Sequence, residues 1–145
     1  MIIPVYNTEL YIKQTVESIQ KQTLYDIEII IINDGSTDNT KDIAEEYRER
    51  FPSMVKVINK ENGGHGSAVN AGIRNAAGLF YKVVDSDDWV NQSAYMQILS
   101  VLREIIRDGK SLDMLISNFV YEKEFKIYYI LYYDVYITFY FNWMF

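Results

Sequence analysis

The sequence of 145 residues has no cysteine, only two prolines and no run of lysine or arginine. Without cysteine the chain can form neither a disulfide framework nor a thiolate zinc site, and this composition suits a reducing compartment. The formal net charge is -6. Because a protein that neutralises a nucleic-acid backbone needs clustered positive charge, nucleic acid is not an expected partner.

The first residues also lack the pattern of a secretory signal. No charged segment followed by a long apolar stretch precedes the first polar residues. We therefore expect a cytoplasmic location, and the inner face of the membrane is the alternative that stays open. With 49% hydrophobic residues, the chain is large enough to bury a core as a single compact unit.

Most of the chain alternates short apolar runs with amphipathic stretches, as parallel strands joined by covering helices do. The predicted strands are residues 2–5, 28–33, 55–58, 79–84 and 112–117. The predicted helices are residues 9–22, a helix that Ser36, Thr37 or Asp38 caps and that ends at Phe51, then residues 68–76 and 93–107. This pattern predicts an α/β fold with a mostly parallel open sheet and helices on both faces.

The hydrophobic pattern also predicts which side chains form the core. The run from Ile29 to Ile32 is apolar on both faces, as a central parallel strand should be. We expect Pro4 to end the ladder of the first strand. Helical spacing places apolar residues on buried stripes of the first and last helices, namely Ile12, Val16 and Ile19, and Leu99, Leu102 and Ile106.

The composition changes near residue 120. Residues 125–145 are crowded with tyrosine, phenylalanine and isoleucine and contain no glycine or proline. We therefore divide the chain into a domain of residues 1–120 and an aromatic-rich segment of residues 121–145. Three interpretations of this segment stay open: a buried hairpin, an end altered by a reading-frame shift, and a membrane helix, for which Asp134 and Asn142 make it a poor candidate.

Polar and glycine-rich clusters follow the predicted strands, where ligands collect in open parallel sheets. These clusters are residues 4–7, 33–36, 62–67 and 85–88. The last contains three aspartates, whose mutual repulsion a hard divalent cation would relieve. Mg²⁺ or Mn²⁺ suits a short Asp-x-Asp because such ions complete their shell with water and phosphate oxygens. The alternative is that these aspartates cap the next helix.

Individual residues in the other clusters keep two interpretations each. Asp34 lies either in a binding site or simply in a favourable turn. Glycines of the third cluster could cradle phosphates with their N–H groups at a helix N-terminus, or form an ordinary loop. His65, the single histidine, either reaches a phosphate or faces solvent. Tyr6 either stacks on a base or packs in the core, and its place after a strand-ending proline favours the site.

Four of these segments together resemble family 2 glycosyltransferases. They are residues 3–7 (IPVYN), 32–38 (INDGSTD), 62–72 (NGGHGSAVNAG) and 84–88 (VDSDD), and the resemblance covers about residues 1–120. It implies a GT-A fold, a UDP-sugar donor, a Mg²⁺ or Mn²⁺ ion and transfer with inversion at the sugar carbon. The acceptor would be a carbohydrate or a lipid-linked molecule, in the synthesis of a polysaccharide or glycoconjugate.

The resemblance also implies roles by position. Tyr6 would stack near the uracil, Pro4 would shape its pocket, and Asp34 would hydrogen-bond the base. Asp85 would touch the ribose or the metal, and Asp87 would ligate the metal. The full set implied for the nucleotide sugar is Pro4, Tyr6, Asn7, Asp34, Gly64, Asn70, Asp85 and Ser86, and the set implied for the metal is Asp87 and Asp85.

Two departures from the family pattern leave alternatives open. Val69 stands where many members have arginine, so Lys60 or Arg74 would have to supply the basic contact to the donor. An inverting transferase also needs a general base, and nothing past Glu124 resembles the expected acidic motif, so no catalytic residue is assigned. The alternatives are a fragment that binds a nucleotide sugar without catalysis, and a nucleotidyltransferase, whose glycine-rich N-terminal loop with a basic residue is absent from this sequence.

Overall fold

The computed structural model describes residues 1–21, 27–117, 120–123, 126–129 and 140–141. Strands and helices alternate along residues 1–107, which confirms the predicted α/β architecture. The elements in chain order are β1 (Ile2–Val5), α1 (Ile12–Gln20), β2 (Ile29–Asp34), α2 (Thr40–Arg50), β3 (Val55–Lys60), α3 (His65–Asn75), β4 (Phe80–Tyr81), α4 (Gln92–Arg107), β5 (Val120–Lys123), β6 (Lys126–Tyr129) and β7 (Tyr140–Phe141).

The isoleucine run forms β2, the central strand of a parallel sheet in the order β1–β2–β3. All six residues of β2 are buried, as the run of apolar residues on both faces predicts. On the other side of β1, residues 82–84 run parallel to it. Ile2 N–H donates to the Lys82 carbonyl at 2.8 Å, and Val84 N–H donates to the Ile2 carbonyl at 2.9 Å. The chain beyond Val84 therefore leaves from the same edge of the sheet as the loops after β1, β2 and β3.

Helices cover both faces of the sheet. One face of β1 and β2 packs against α1 and α2, and its buried residues include Ile3, Val5, Ile29, Ile31, Ile12, Val16, Ile19, Ala44 and Tyr47. The other face packs against α3, and its buried residues include Ile2, Ile30, Ile32, Ala68 and Ala71. The alternation of β1 and β2 side chains between these two clusters follows from the two-residue period of a strand.

A glycine allows α3 to approach the sheet closely. A Cβ atom on Gly72 would lie 2.3 Å from Ile2 Cγ2, which is closer than real Cβ contacts. α3 therefore packs directly against β1. This contact fixes the position of the α3 N-terminus relative to the sheet edge.

The structure corrects the prediction that Pro4 ends the β1 ladder. Val5, one residue further, still pairs with Asn33 of β2. Alternate residues of a parallel strand bond to opposite neighbours, and Ile2 N–H donates toward residue 82. Pro4 lies two residues after Ile2 and faces the same side, so its missing N–H interrupts no bond to β2.

Three further predictions were wrong in part. The strand predicted over 79–84 is split, since β4 pairs antiparallel with β7 while residues 82–84 lie beside β1. Residues 112–117 form no strand, because no described strand offers them a ladder. In α4, Leu102 is buried but Ile106 is 48% exposed. Helical periodicity predicts which face of a helix is apolar, but not how much of its length another element covers.

Part of the aromatic-rich segment lies in two small antiparallel pairings. β5 pairs with β6 as a hairpin, and β7 pairs with β4. The predictions made for the rest of residues 125–145 fall outside the described residues. Within the described parts of the chain, no helix combines the length and the apolar character that crossing a bilayer requires.

Candidate functional site

Four polar segments meet at the carboxyl edge of the parallel sheet. Tyr6 follows β1, Gly35 follows β2, Glu61 follows β3, and Asp85 follows the stretch that runs beside β1. Parallel strands deliver the residues after them to one edge, where helix N-termini and loops form binding sites. Hydrogen bonds join the first three of these segments, and His65 connects the third with the fourth.

Asn7 joins the first segment to the second. Its backbone adopts a φ of 52°, which lies in the left-handed region that asparagine tolerates better than most residues. Asn7 N–H donates to Ser36 Oγ at 3.1 Å, and its own Oδ1 accepts from Thr37 N–H at 2.8 Å. The side chain of Asn7 is thus occupied between loops, while the neighbouring Tyr6 is 50% exposed.

Four further hydrogen bonds extend this connection toward the two helices. Thr8 N–H donates to Thr40 Oγ1 at 2.8 Å, and Glu9 N–H donates to Asp38 Oδ2 at 3.2 Å. In return Glu9 Oε2 accepts from both the backbone and the side-chain nitrogen of Asn39, at 2.9 and 2.8 Å. α1 begins at residue 12 rather than at the predicted residue 9, after a turn in which Tyr11 N–H donates to the Thr8 carbonyl at 2.9 Å.

The predicted cap of α2 is confirmed in part. Asp38 Oδ1 accepts from Thr40 N–H at 3.0 Å, so Asp38 satisfies a donor of the first turn. Burial would raise the pKa of Asp38, but its hydrogen bonds from Thr40 and Glu9 outweigh burial and lower it. Ser36 and Thr37 bond to Asn7 instead of capping the helix.

Asp34 is the most fully bonded carboxylate of the site. It is 3% exposed, and the register of β2 and β3 places it opposite Lys60, whose Nζ donates to Oδ1. Gly63 N–H donates to Oδ1 at 3.0 Å, and Gly64 N–H donates to Oδ2 at 2.8 Å. Burial alone would raise the pKa of Asp34, but the hydrogen bonds from Lys60 and the two glycines outweigh it and lower the pKa.

Close packing between the loops explains two of the glycines. A Cβ on Gly35, whose φ is +77°, would lie 2.8 Å from the Asn62 nitrogen. A Cβ on Gly63 would lie 2.8 Å from Ser67 Oγ and 3.0 Å from Lys60 Nζ. The glycine-rich loop is therefore held against Asp34, and the N–H groups of Gly63 and Gly64 point at this carboxylate rather than at a phosphate.

The acidic segment, residues 85–88, forms a turn in which Asp88 N–H donates to the Asp85 carbonyl at 3.0 Å. Ser86 is buried, whereas all three aspartates are exposed. Partial burial, followed by the charges of Asp87 and Asp85, raises the pKa of Asp88. Within the described residues, no three His, Cys, Asp or Glu side chains form a complete metal cage. The segment is thus a set of three exposed carboxylates, and the charge of Lys82 offsets only part of the rise in the pKa of Asp88.

His65 is a basic residue that the structure brings to the acidic segment. Its Nε2 lies 3.9 Å from Asp85 Oδ1, at the first residue of α3. Lys60, which the sequence offered as a basic contact, is engaged by Asp34 and by the Glu61 carbonyl. Arg74 lies in the last turn of α3, about 13 Å along the axis from His65 at 1.5 Å per residue.

The remaining candidates differ in how near they lie to the edge. Pro4 is buried within β1, two residues before the exposed Tyr6. Asn70 is exposed on the second turn of α3, about 7 Å along the axis from His65. The structure also reveals two residues of α1 that were not predicted: Thr15, which bonds to the backbone of the acidic segment, and Ser18, which bonds to Val90 just beyond it. A polar residue within the apolar stripe of α1 was the signal that could have revealed Thr15.

Comparison with known proteins identifies the family. A family model described as "Glycosyl transferase family 2" matches residues 1–131. The chain belongs to this family. The match confirms the resemblance carried by the four motifs.

Relatives of this family 2 chain are longer than it is. EpsH of Bacillus subtilis (strain 168) is 43% identical over 124 residues, which are 86% of this chain and 34% of EpsH. The minor teichoic acid biosynthesis protein GgaB of the same organism is 36% identical over 106 residues, which are 72% of this chain and 12% of GgaB. The chain thus spans about a third of the length of EpsH and a smaller part of GgaB.

A solved structure confirms the GT-A fold. S. aureus TarS 1-349 in complex with UDP-GlcNAc has a TM-score of 0.66 with this family 2 chain and is 28% identical to it. The likeness covers 82% of this chain and 38% of the TarS chain.

Proposed function

We propose that this chain is the donor-binding part of a glycosyltransferase, and that it binds a UDP-sugar together with Mg²⁺ or Mn²⁺ at the acidic segment. The observation that carries the proposal is the cluster of three exposed carboxylates at the same sheet edge as Tyr6 and Asp34. Transfer of the sugar to a carbohydrate or lipid-linked acceptor, with inversion, is the reaction that we propose for the whole protein.

The donor set fits a divalent ion that the substrate helps to bind. Asp85 and Asp87 are exposed oxygen donors, and their repulsion with Asp88 favours a cation between them. Mg²⁺ and Mn²⁺ accept one or two carboxylates and take the remaining ligands from phosphate and water. When bound, the ion would neutralise charge that develops on the departing nucleotide diphosphate.

The other candidate residues form the pocket for the nucleoside. The half-exposed ring of Tyr6 offers an aromatic face for the base, and Pro4 fixes the strand end from which it projects. Asn7 holds that loop in place through its bonds to Ser36 and Thr37. We propose that Gly64, Ser86 and Asn70 line the path from base to sugar.

Asp34 would act on the base from beneath the pocket. Its Oδ2 accepts one described hydrogen bond, from Gly64 N–H, so this oxygen has a further lone pair for an N–H of uracil. Lys60 and Gly63 hold the other oxygen. Asp34 thus combines a structural bond to the glycine-rich loop with the base contact that the family resemblance implies.

The relatives support the donor and the pathway that we propose. TarS, at 28% identity, was solved with UDP-GlcNAc, which favours a UDP-sugar here. GgaB is named for minor teichoic acid biosynthesis, which favours a cell-surface polymer as the product of this protein.

A binding function without catalysis is the second candidate. Two carboxylate sites at the described edge already have partners: Lys60 and two glycines engage Asp34, and we assign the acidic segment to the metal. Neither is free to take the proton of an acceptor hydroxyl, which an inverting enzyme requires. Because no residue of the sequence matches the expected general base, we expect this chain to bind donor yet transfer sugar very slowly.

Calorimetric titration of UDP-GlcNAc tests the proposal, with Mn²⁺ and with EDTA. We expect binding that requires the metal, with GDP-mannose as the control for base preference. A donor affinity that is the same with and without Mn²⁺ would contradict the metal assignment. A second assay follows UDP release with candidate acceptors, and robust acceptor-dependent turnover would replace the binding function with catalysis by this chain.

A further inference from the structure

α1 carries a hydroxyl in a place where an apolar side chain would suffice. Its buried face consists of Ile12, Thr15, Val16 and Ile19, and Thr15 is 1% exposed. Valine would fill the same volume without a polar atom that needs a partner. A buried hydroxyl costs free energy unless it is hydrogen-bonded, so the partners of Thr15 are informative.

Those partners belong to the acidic segment, more than seventy residues away in sequence. Thr15 Oγ1 donates toward the Ser86 carbonyl at 2.7 Å and the Asp88 carbonyl at 2.8 Å. One hydroxyl has a single proton, which these two carbonyls share. The carbonyl of Tyr11, the usual partner for a threonine within a helix, is farther away at 3.5 Å. The hydroxyl is therefore turned from its own helix toward residues 86–88.

Ser18, one turn further along α1, continues the contact. Its Oγ accepts from Val90 N–H at 3.1 Å and donates to the Thr15 carbonyl at 2.7 Å. The two hydroxyls thus hold the backbone at residues 86, 88 and 90, every second residue. The carboxylates of Asp85 and Asp87, at the alternate positions, are left exposed.

We propose that Thr15 and Ser18 are positioning residues, which hold the backbone of residues 86–90 so that Asp85 and Asp87 present their carboxylates to a divalent ion and a diphosphate. The role rests on the proposed function. Three neighbouring carboxylates repel one another and would spread an unsupported turn. Groups that orient metal ligands from behind commonly change metal affinity when they are removed.

The test compares Thr15→Val with Thr15→Ser. Valine keeps the volume and removes the hydroxyl, whereas serine keeps the hydroxyl and removes the methyl group. The first readout is the Mn²⁺ concentration that gives half-maximal UDP binding. We expect Thr15→Val to raise it about tenfold, as the loss of an orienting group does, and Thr15→Ser to keep the requirement of the parent chain.

A second readout separates positioning from general damage to the fold. Uridine has no phosphates, so its affinity reports on the base pocket alone, and Thr15→Val should leave it unchanged. If Thr15→Val weakens uridine as much as UDP, or keeps the Mn²⁺ requirement of the parent, the positioning role is wrong while the proposed function stands. If the parent binds UDP equally well without Mn²⁺, the metal assignment in the proposed function fails and the positioning role fails with it.

Ser18→Ala keeps the test decisive if Thr15→Val does not fold. Ser18 is half-buried, and the bonds of the Thr15 hydroxyl to the Ser86 and Asp88 carbonyls do not involve it. We expect Ser18→Ala to raise the Mn²⁺ requirement in the same direction with unchanged uridine affinity. A Ser18→Ala chain with the Mn²⁺ requirement of the parent would overturn the role of Ser18 and leave the joint proposal without support.

Discussion

Asp34 and the acidic segment are two anionic sites at the same edge of one sheet, and their surroundings differ. Asp34 is buried and accepts from Lys60 and two backbone N–H groups, which lower its pKa. Asp88 lies beside Asp85 and Asp87, and partial burial and these charges raise its pKa. Asp34, whose charge is balanced by Lys60 and two backbone N–H groups, holds the loops together. The exposed cluster of like charges in the acidic segment is instead suited to binding a cation.

The largest expected effect comes from removing a carboxylate of the acidic segment. Asp87→Ala should abolish Mn²⁺-dependent UDP binding, because the ion loses one of its protein ligands. The melting temperature should stay unchanged or rise, since one of three repelling charges is gone. Calorimetry and thermal denaturation measure the two quantities.

The control for this variant is Asp113→Ala, which removes an exposed aspartate outside the segment and should affect neither quantity. Equal UDP affinities of the Asp87→Ala and parent chains in Mn²⁺ would show that this cluster is not the metal site.

Substitution of Asp34 should have the opposite effect on stability. Asp34→Asn should destabilise the chain by about 2 kcal/mol, because hydrogen bonds to a charged group are lost and the amide nitrogen would face either the Gly64 donor or the Gly63 and Lys60 donors. Urea unfolding measures this change, and Asp42→Asn, an exposed aspartate of α2, is the matched control. If Asp34→Asn kept full stability and lost only uridine affinity, Asp34 would serve the base alone.

The sequence analysis predicted much of this arrangement, and the reasons for its failures are physical. The isoleucine run and the helical stripes predicted the sheet and its covered faces because burial depends on periodicity. The Asp34 to Lys60 pair was missed because it depends on the register of β2 and β3, which no local pattern specifies. Thr15 was missed because its partners lie 71 and 73 residues further along the chain.

The dependence of stability on pH offers a third way to separate the two sites. The folded pKa of Asp34 is lowered, so its stabilisation is present above the unfolded value of about 3.9 and is lost as the pH falls through the folded pKa. The stability difference between the parent and Asp34→Asn should therefore shrink in acid. Urea unfolding at a series of pH values measures this difference in stability. A difference that stays constant with pH would contradict the lowered pKa of Asp34.

Asp88 should show the reverse trend. Its folded pKa is raised, so its relative stabilisation is present at low pH and is lost as the pH rises through that pKa. Asp88→Asn should be at least as stable as the parent at neutral pH, and saturating Mn²⁺ with UDP should remove the advantage. An Asp88→Asn chain that is less stable than the parent at neutral pH would contradict this trend, and helix capping would not explain it because Asn91, not an aspartate of the acidic segment, caps α4.

The smallest effect is expected at His65. Its Nε2 lies 3.9 Å from Asp85, and both side chains are more than half exposed, so any ion pair contributes about 0–1 kcal/mol. His65→Gln should change the stability within that range and weaken UDP binding slightly. A loss of UDP binding comparable with that of Asp87→Ala would make His65 a principal donor contact.

Anomalous diffraction from a crystal of the chain grown with Mn²⁺ and UDP tests the central claim most directly. Data collected on either side of the manganese absorption edge locate the ion without reference to the protein density. The account predicts one peak in contact with the carboxylates of Asp85 and Asp87, with the UDP diphosphate completing its shell. A manganese peak away from residues 85–88, or UDP bound at this edge with no manganese beside it, would contradict it.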